Sequence, residues 1–177
     1  MLDVGQNLIK VSIQQFYGIE INDFAVSVAK TALWIAESQM MEATKEIVYT
    51  NVDFLPLKTY TQIVEGNALI LNWQSIIPNY ELNFIISNPP FSGARTMTST
   101  QNKELEVVFH NQSGIGDLDY VSGWYKKASS YMINTTIRAA FVSTNSIVQG
   151  QQVSILWKPL FSEGLEISFA YNSFKWN

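Results

Sequence analysis

The sequence feature that most constrains the fold is residues 83–91, where a short apolar run stops at two consecutive prolines. Phe84, Ile85 and Ile86 are typical of a buried strand, and Asn88-Pro89-Pro90-Phe91 follows after one serine. Neither proline has a backbone donor, and each forces the residue before it into an extended conformation. The pattern therefore predicts a core strand that ends directly in a stiff polar turn.

This turn suits the binding of a planar, amine-bearing ring. Asn88 adds a neutral side chain with both an acceptor and a donor, and Phe91 places an aromatic ring beside it. A simple strand-terminating turn would use the same residue types, so these four residues alone leave both interpretations open.

Two further strand ends carry polar side chains. Residues 15–20 predict a short strand that ends at Glu20, and Asn22 or Asp23 then caps a helix that runs to about residue 41. A carboxylate at this position can hold a nucleotide ribose, although a solvated acid near a helix N-terminus would have the same sequence. Residues 63–69 predict a strand that ends in a glycine turn with Asn67, which could equally be a plain turn residue.

The order of elements predicts an α/β fold with an open, mainly parallel sheet and helices on both faces. Ligands should lie beyond the carboxyl ends of its strands, where Glu20, Asn67 and Asn88 are expected. The sequence also predicts a weak helix at residues 2–13, a loop with a short extended piece at residues 42–60 and a polar segment at residues 96–102. A helix with an aromatic core face is predicted at residues 117–132, a strand at 137–143, a helix at 149–161 and a final strand at 166–171.

Composition limits the classes of function. The 177 residues are 47% hydrophobic, which is enough for one packed domain. Only 15% are charged, so much of the surface is expected either to be neutral or to be covered by other regions. The net charge of −4 argues against this chain binding the phosphate backbone of a nucleic acid by itself.

The absence of cysteine excludes disulfides and thiolate zinc sites, and we expect no metal in this domain. No apolar run reaches the length of a membrane span and no signal peptide is visible, so a cytoplasmic location without membrane contact is expected. The sole histidine, His110, is assigned to a helix end or the surface rather than to catalysis.

Residues 87–91 resemble the (Asn/Asp)-Pro-Pro-(Phe/Tyr) motif of S-adenosylmethionine-dependent amino-methyltransferases that act on DNA adenine. Residues 16–22 and 29–34 are similar to the segment that follows the first motif in MmeI-like DNA methyltransferases, the modification halves of single-chain restriction-modification enzymes. Residues 118–128 and 138–147 are similar to the middle motifs of these enzymes, and residues 169–176 are similar to their eighth motif. The resemblance implies a Rossmann-like class I methyltransferase that flips adenine out of double-stranded DNA and methylates its amino group.

The resemblance also implies roles for individual residues. Asn88, Pro89, Pro90 and Phe91 would form the catalytic motif. Glu20 would bind the cofactor ribose, and Ile21 would pack on its adenine. Asn67, where the family usually has Asp, would accept from the adenine amino group beside Ala68. Phe91 and Phe174 would stack on the flipped base, with Tyr171 and Trp176 as alternatives to Phe174.

The family's Gly-rich first motif does not occur in these 177 residues, and neither does a target-recognition domain. We therefore expect residues 1–177 to be a partial methyltransferase catalytic domain, truncated at both ends and inactive alone, that reaches DNA mostly through other regions. Two alternatives remain: an amino-methyltransferase that acts on protein glutamine or RNA, and a non-catalytic scaffold of the same fold.

Overall fold

The computed structural model describes residues 10–48 and 62–174, and the chain divides into two compact units, Met1–Ala68 and Leu69–Asn177. Most of residues 2–13, residues 49–61 and Trp176, to which the sequence analysis assigned structure or a role, lie outside the described residues. No helix in the described part of the chain is both long enough and apolar enough to cross a membrane.

The first unit is built from a parallel strand pair and one long helix. Strand β1 is Gly18–Glu20, helix α1 is Asp23–Val48 and strand β2 is Ile63–Glu65. Gly18 pairs with Ile63, and a Cβ on this glycine would lie 2.8 Å from the Ile63 Cδ1 atom, so the absence of a side chain permits the register. The Asn22 side chain begins α1 by accepting from the Ala25 N–H at 2.9 Å.

Helix α1 is longer than predicted. The loop assigned from residue 42 is wrong for residues 42–48, which continue the helix to Val48. This stretch contains neither Gly nor Pro, and an ion pair joins Lys45 to Glu42 one helical turn earlier at 3.2 Å. The sequence therefore had no signal that would end the helix at residue 41.

The described part of the second unit contains another parallel pair and three α-helices. Its elements are β3, α2, α3, β4 and α4, which span Phe84–Ser87, Ser99–Val108, Ser122–Met132, Arg138–Phe141 and Lys158–Ser162. Phe84 pairs with Arg138 and Ser87 with Phe141. The burial predicted for β3 is wrong, since Phe84 is 65% exposed and Ile86 81% exposed. A π-helical turn at Val153–Trp157 leads into α4, within the segment predicted as one regular helix.

The core of the second unit surrounds α3. Trp124, Ala128 and Tyr131 of this helix are buried, as predicted for its aromatic face. The most deeply buried apolar side chains in this unit come from several elements and the turns between them: Leu69, Leu105, Leu118, Val121, Leu156 and Leu160.

Two predicted segments differ from the structure. The polar segment at residues 96–102 contains the start of α2, because Thr98 and Gln101 form a reciprocal capping box. The final strand predicted at residues 166–171 is wrong, since these residues have no regular secondary structure. Alternation determines which side chains share a face, but it does not provide a neighbouring strand for hydrogen bonding.

The architecture is therefore α/β with parallel strand pairing, as predicted. The four strands in residues 10–48 and 62–174 form two hydrogen-bonded pairs, β1 with β2 and β3 with β4.

Candidate functional site

The Asn-Pro-Pro-Phe turn follows β3 directly. The Val142 N–H donates to the Ser87 carbonyl at 3.1 Å, which completes the ladder between β3 and β4 immediately before the turn. Asn88 and Pro90 are exposed, Pro89 is buried and Phe91 is 45% exposed. None of the hydrogen bonds within the described residues uses the Asn88 side chain or the Pro89 carbonyl. Two neutral oxygen acceptors are thus available at the carboxyl end of a strand.

The far end of this turn is anchored by residues 119 and 120. The Tyr120 N–H donates to the Ser92 carbonyl at 2.8 Å, and the Ala94 N–H donates to Asp119 Oδ1 at 3.1 Å. Thr96 closes the following turn by donating its N–H to the Gly93 carbonyl at 2.9 Å. The turn is therefore fixed at both ends, by the strand ladder before it and by these bonds after it.

Asp119 is a buried carboxylate with hydroxyl and amide partners. Its other oxygen, Oδ2, accepts from the Thr144 hydroxyl at 3.2 Å and forms a short hydrogen bond with the Ser146 hydroxyl. Its own N–H donates to Gln152 Oε1 at 3.1 Å. Burial raises the pKa of the Asp119 carboxyl, but the hydrogen bonds from Ser146, Gln152, Ala94 and Thr144 together bring this pKa below its ordinary value. Asp119 is therefore ionised near neutral pH.

Sequence reasoning did not assign Asp119 a functional role. A usable signal was its position between Leu118 and Tyr120-Val121, in a segment predicted to be core. A carboxylate in such a segment is rarely buried without specific partners. The polar residues 143–146, which follow β4, were a second signal, because their hydroxyl and amide groups can donate to a carboxylate.

Four residues of the first unit lie at the carboxyl ends of its parallel strands. Glu20 ends β1, where it is half-buried, and its Oε1 atom accepts from the Asn22 N–H at 3.0 Å. Ile21 is 69% exposed. Asn67 and Ala68 follow β2 and are half-buried. Because β1 and β2 are parallel, Glu20, Ile21, Asn67 and Ala68 share one edge of this sheet.

Phe174, which is expected at the flipped base, and its alternative Tyr171 are both accessible. Phe174 is 62% exposed and Tyr171 is 87% exposed, in the segment after α4 that has no regular secondary structure.

His110 follows α2 with a φ of 51° and is exposed, which agrees with its assignment to a helix end.

Lys127 is a second residue that the sequence analysis did not single out. Its ammonium donates to the carbonyls of Leu69 and Leu71, both at 2.5 Å, and lies 5.8 Å from the centre of the Trp73 ring. Burial lowers the pKa of the Lys127 ammonium to about 8. This side chain fixes the backbone of residues 69–71 to α3.

The fold and these positions define an α/β protein whose candidate ligand-binding residues follow the carboxyl ends of parallel strands. A comparison with family models matches residues 2–177 to the MmeI DNA-methyltransferase domain. The chain therefore belongs to the MmeI DNA-methyltransferase domain family, as its motifs predicted.

Two similar proteins support this assignment. The chain is 43% identical over 169 residues to DNA methyltransferase A of Bacillus subtilis (strain 168), which covers 94% of this chain and 19% of that protein. It is 42% identical to a solved structure of the Type IIL restriction-modification enzyme MmeI in complex with DNA, with a TM-score of 0.89. That match covers 96% of this chain and 23% of the MmeI chain. The chain thus spans about a fifth of the length of these relatives.

Proposed function

We propose that the protein containing this chain transfers a methyl group from S-adenosylmethionine to the exocyclic amino group of adenine in double-stranded DNA, as part of a restriction-modification system. The observation that carries this proposal is the Asn88-Pro89-Pro90-Phe91 turn, with two acceptors at the carboxyl end of a strand. Membership of the MmeI family supports DNA as the substrate. We also propose that the parallel pairs are parts of a Rossmann-like class I methyltransferase fold.

The first unit fits the adenosine part of the cofactor. A carboxylate has about four acceptor positions, so Glu20 can accept from ribose hydroxyls while Oε1 accepts from Asn22. The exposed Ile21 side chain offers an apolar surface for the adenine ring. Asn67 would accept from the adenine amino group through a neutral amide, without the charge assistance of an aspartate, and Ala68 would lie beside it. When bound, S-adenosylmethionine supplies an electrophilic methyl group on a positively charged sulfur.

The Asn88 turn would act on the target base. Adenine must leave the duplex before its amino group becomes accessible. The Asn88 side-chain oxygen and the Pro89 carbonyl would accept the two amino hydrogens, which draws the nitrogen lone pair away from the ring. These acceptors also stabilise the positive charge that develops on that nitrogen. A neutral asparagine is sufficient because no proton has to be removed before the nitrogen attacks.

Aromatic side chains would hold the flipped base. Phe91 and Phe174 are exposed rings, and stacking of a base on such a ring contributes roughly 1–3 kcal/mol. Phe91 belongs to the turn itself, so its stacking would align the base with Asn88. An amide nitrogen of protein glutamine, or an RNA base, would present similar chemistry to Asn88, and product analysis separates these substrates.

The test compares Asn88→Ala with Asn83→Ala in the full-length protein. Asn83 is an exposed asparagine at the opposite end of the same strand, where its carbonyl accepts from the Arg138 N–H. We expect Asn88→Ala to lower the rate of methyl transfer to duplex DNA by about 10²–10³-fold with cofactor affinity largely unchanged. Asn83→Ala should match the wild type.

Radiolabelled transfer followed by nucleoside analysis gives both the rate and the product. N6-methyladenine as the product supports the proposal. Near-normal turnover by Asn88→Ala would refute the role of the turn. Methylated RNA or methylated protein glutamine as the product would identify that molecule as the substrate instead of DNA. Absence of cofactor binding would favour a non-catalytic scaffold.

A further inference from the structure

The position of Asn88 and Pro89 depends on contacts at both ends of residues 88–91. Before the turn, the Val142 N–H holds the Ser87 carbonyl. After it, the chain is held through Ser92 and Ala94 by Tyr120 and Asp119. Two adjacent prolines make the turn stiff, so a displacement of its far end is transmitted to Asn88.

Asp119 connects this far end to the strand next to β3. One oxygen accepts from Ala94, and the other accepts from Thr144 and Ser146, which lie just beyond β4. Because β3 and β4 are parallel neighbours, both loops leave the same edge of the sheet. Gln152 fixes the Asp119 backbone from a third segment. We call this set of bonds the Asp119 clamp.

Burying an ionised carboxylate is unfavourable in free energy. Asp119 is 6% exposed, and removing such a charge from water costs several kcal/mol unless hydrogen bonds compensate. Packing alone would be served by an apolar residue of similar size. The carboxylate differs from an apolar residue because its two oxygens can accept hydrogen bonds from the loop after β3 and from the loop after β4 at the same time.

We propose that Asp119 is a positioning residue for methyl transfer: the clamp orients the Asn88-Pro89 acceptors by fixing the loop after Phe91 to the end of β4. The kinetic part of this inference rests on the proposed function, whereas the clamp itself can be tested without it.

Substitutions at residue 119 separate the clamp from mere packing. Asp119→Asn retains an oxygen for the Ala94 N–H, and its amide can donate to the Thr144 and Ser146 hydroxyls, which can rotate to accept. Asp119→Ala removes every side-chain bond. Asp117→Asn is the matched control, since Asp117 is an exposed acid two residues earlier.

The experiment combines steady-state kinetics with amide hydrogen exchange on the full-length protein. In Asp119→Ala we expect kcat to fall by about 10²-fold, the loss typical of a displaced reacting group, with KM for cofactor within about twofold. Exchange at Ala94 should accelerate by about tenfold or more, since a hydrogen bond to a charged acceptor is lost. Asp119→Asn should recover most of kcat, and Asp117→Asn should match the wild type.

Three results would overturn the inference. One is unchanged exchange at Ala94 in Asp119→Ala, because the clamp then does not hold the loop. Another is a kcat within about threefold of wild type despite faster exchange, because the clamp then does not position the acceptors. The third is an Asn variant as impaired as the Ala variant.

If Asp119→Ala does not fold, the double variant Thr144→Ala and Ser146→Ala breaks only one side of the clamp. It should lower kcat less, again with unchanged cofactor KM, and normal kcat would overturn the proposal. A wild-type protein that methylates no DNA would refute the proposed function, and exchange at Ala94 in the folded variants would still decide whether the clamp exists.

Discussion

The two units of the chain hold their candidate site residues in different ways. In the first unit, the Glu20 side chain accepts from the Asn22 N–H, two residues away, and the buried apolar residues in the described part of this unit are only Ile13 and Val26. In the second unit, the Asn88 turn is held by Asp119, Tyr120 and Val142, from distant parts of the sequence, above a larger core. The contact that orients the Glu20 side chain is therefore local, whereas the Asn88 turn depends on contacts between segments that are distant in the sequence.

The sharpest test of this difference is Glu20→Ala in the full-length protein. Loss of a charge-assisted hydrogen bond, worth about 1.5–3 kcal/mol, should weaken S-adenosylmethionine binding by about 10–100-fold. Because the hydrogen bond of the Glu20 side chain is local and its backbone pairing with β2 does not need the carboxylate, the thermal unfolding midpoint should change little. Calorimetric titration and thermal unfolding measure the two quantities.

Glu65→Ala is the matched control for Glu20→Ala. Glu65 is the exposed register partner of Glu20 at the end of β2. Its removal should leave cofactor affinity unchanged, and an equal loss in both variants would indicate a general charge effect instead of a ribose contact.

Gly123→Ala tests the packing of the second unit. A Cβ at this position would lie 2.9 Å from the Leu105 Cδ2 atom and 3.1 Å from both Leu69 methyl carbons, and neither leucine can move to solvent. We expect the free energy of unfolding to fall by about 1–2 kcal/mol, since overpacking exceeds the gain from alanine in a helix. Urea denaturation followed by tryptophan fluorescence gives the value.

Gly116→Ala provides the control, because nothing lies within 4 Å of a Cβ at that position. Its effect should stay within about 0.5 kcal/mol. If Gly123→Ala were as mild, the core around α3 would be less tightly packed than the distances indicate.

The smallest expected effect is a pH dependence from Lys127. Burial lowers the pKa of its ammonium to about 8, from 10.5. Above pH 8 the unfolded chain retains a proton that the folded protein has released, so the free energy of unfolding should rise with pH between about 8 and 9.5. Burial also raises the pKa of Tyr125 and Tyr131, so their titration reduces stability only at higher pH, near and above the ordinary tyrosine range.

Urea denaturation at several pH values should show this rise in the wild type and its loss in Lys127→Met. Lys103→Met removes an exposed lysine of α2 and should retain it. An unchanged slope in Lys127→Met would assign the pH dependence to other groups.

The distinction between local and long-range contacts also explains what could be predicted from the sequence. Glu20, Asn67 and Asn88 could be assigned to strand ends because each ends or closely follows a short apolar run, which is a local sequence pattern. Asp119 was missed because its partners are separated from it by tens of residues, and no local pattern identifies them. The prediction of a strand at residues 166–171 was wrong for a related reason, since its side chains alternate but no strand in residues 10–48 and 62–174 pairs with it.

Parallel pairing also affects how the chain folds during synthesis. Gly18 must meet Ile63, and Phe84 must meet Arg138, so each pair closes a long loop before its hydrogen bonds form. Helices such as α3 form from neighbouring residues and need no such search. The apolar β3 segment is therefore synthesised about 50 residues before β4, and during this interval its unpaired strand edge is prone to aggregation.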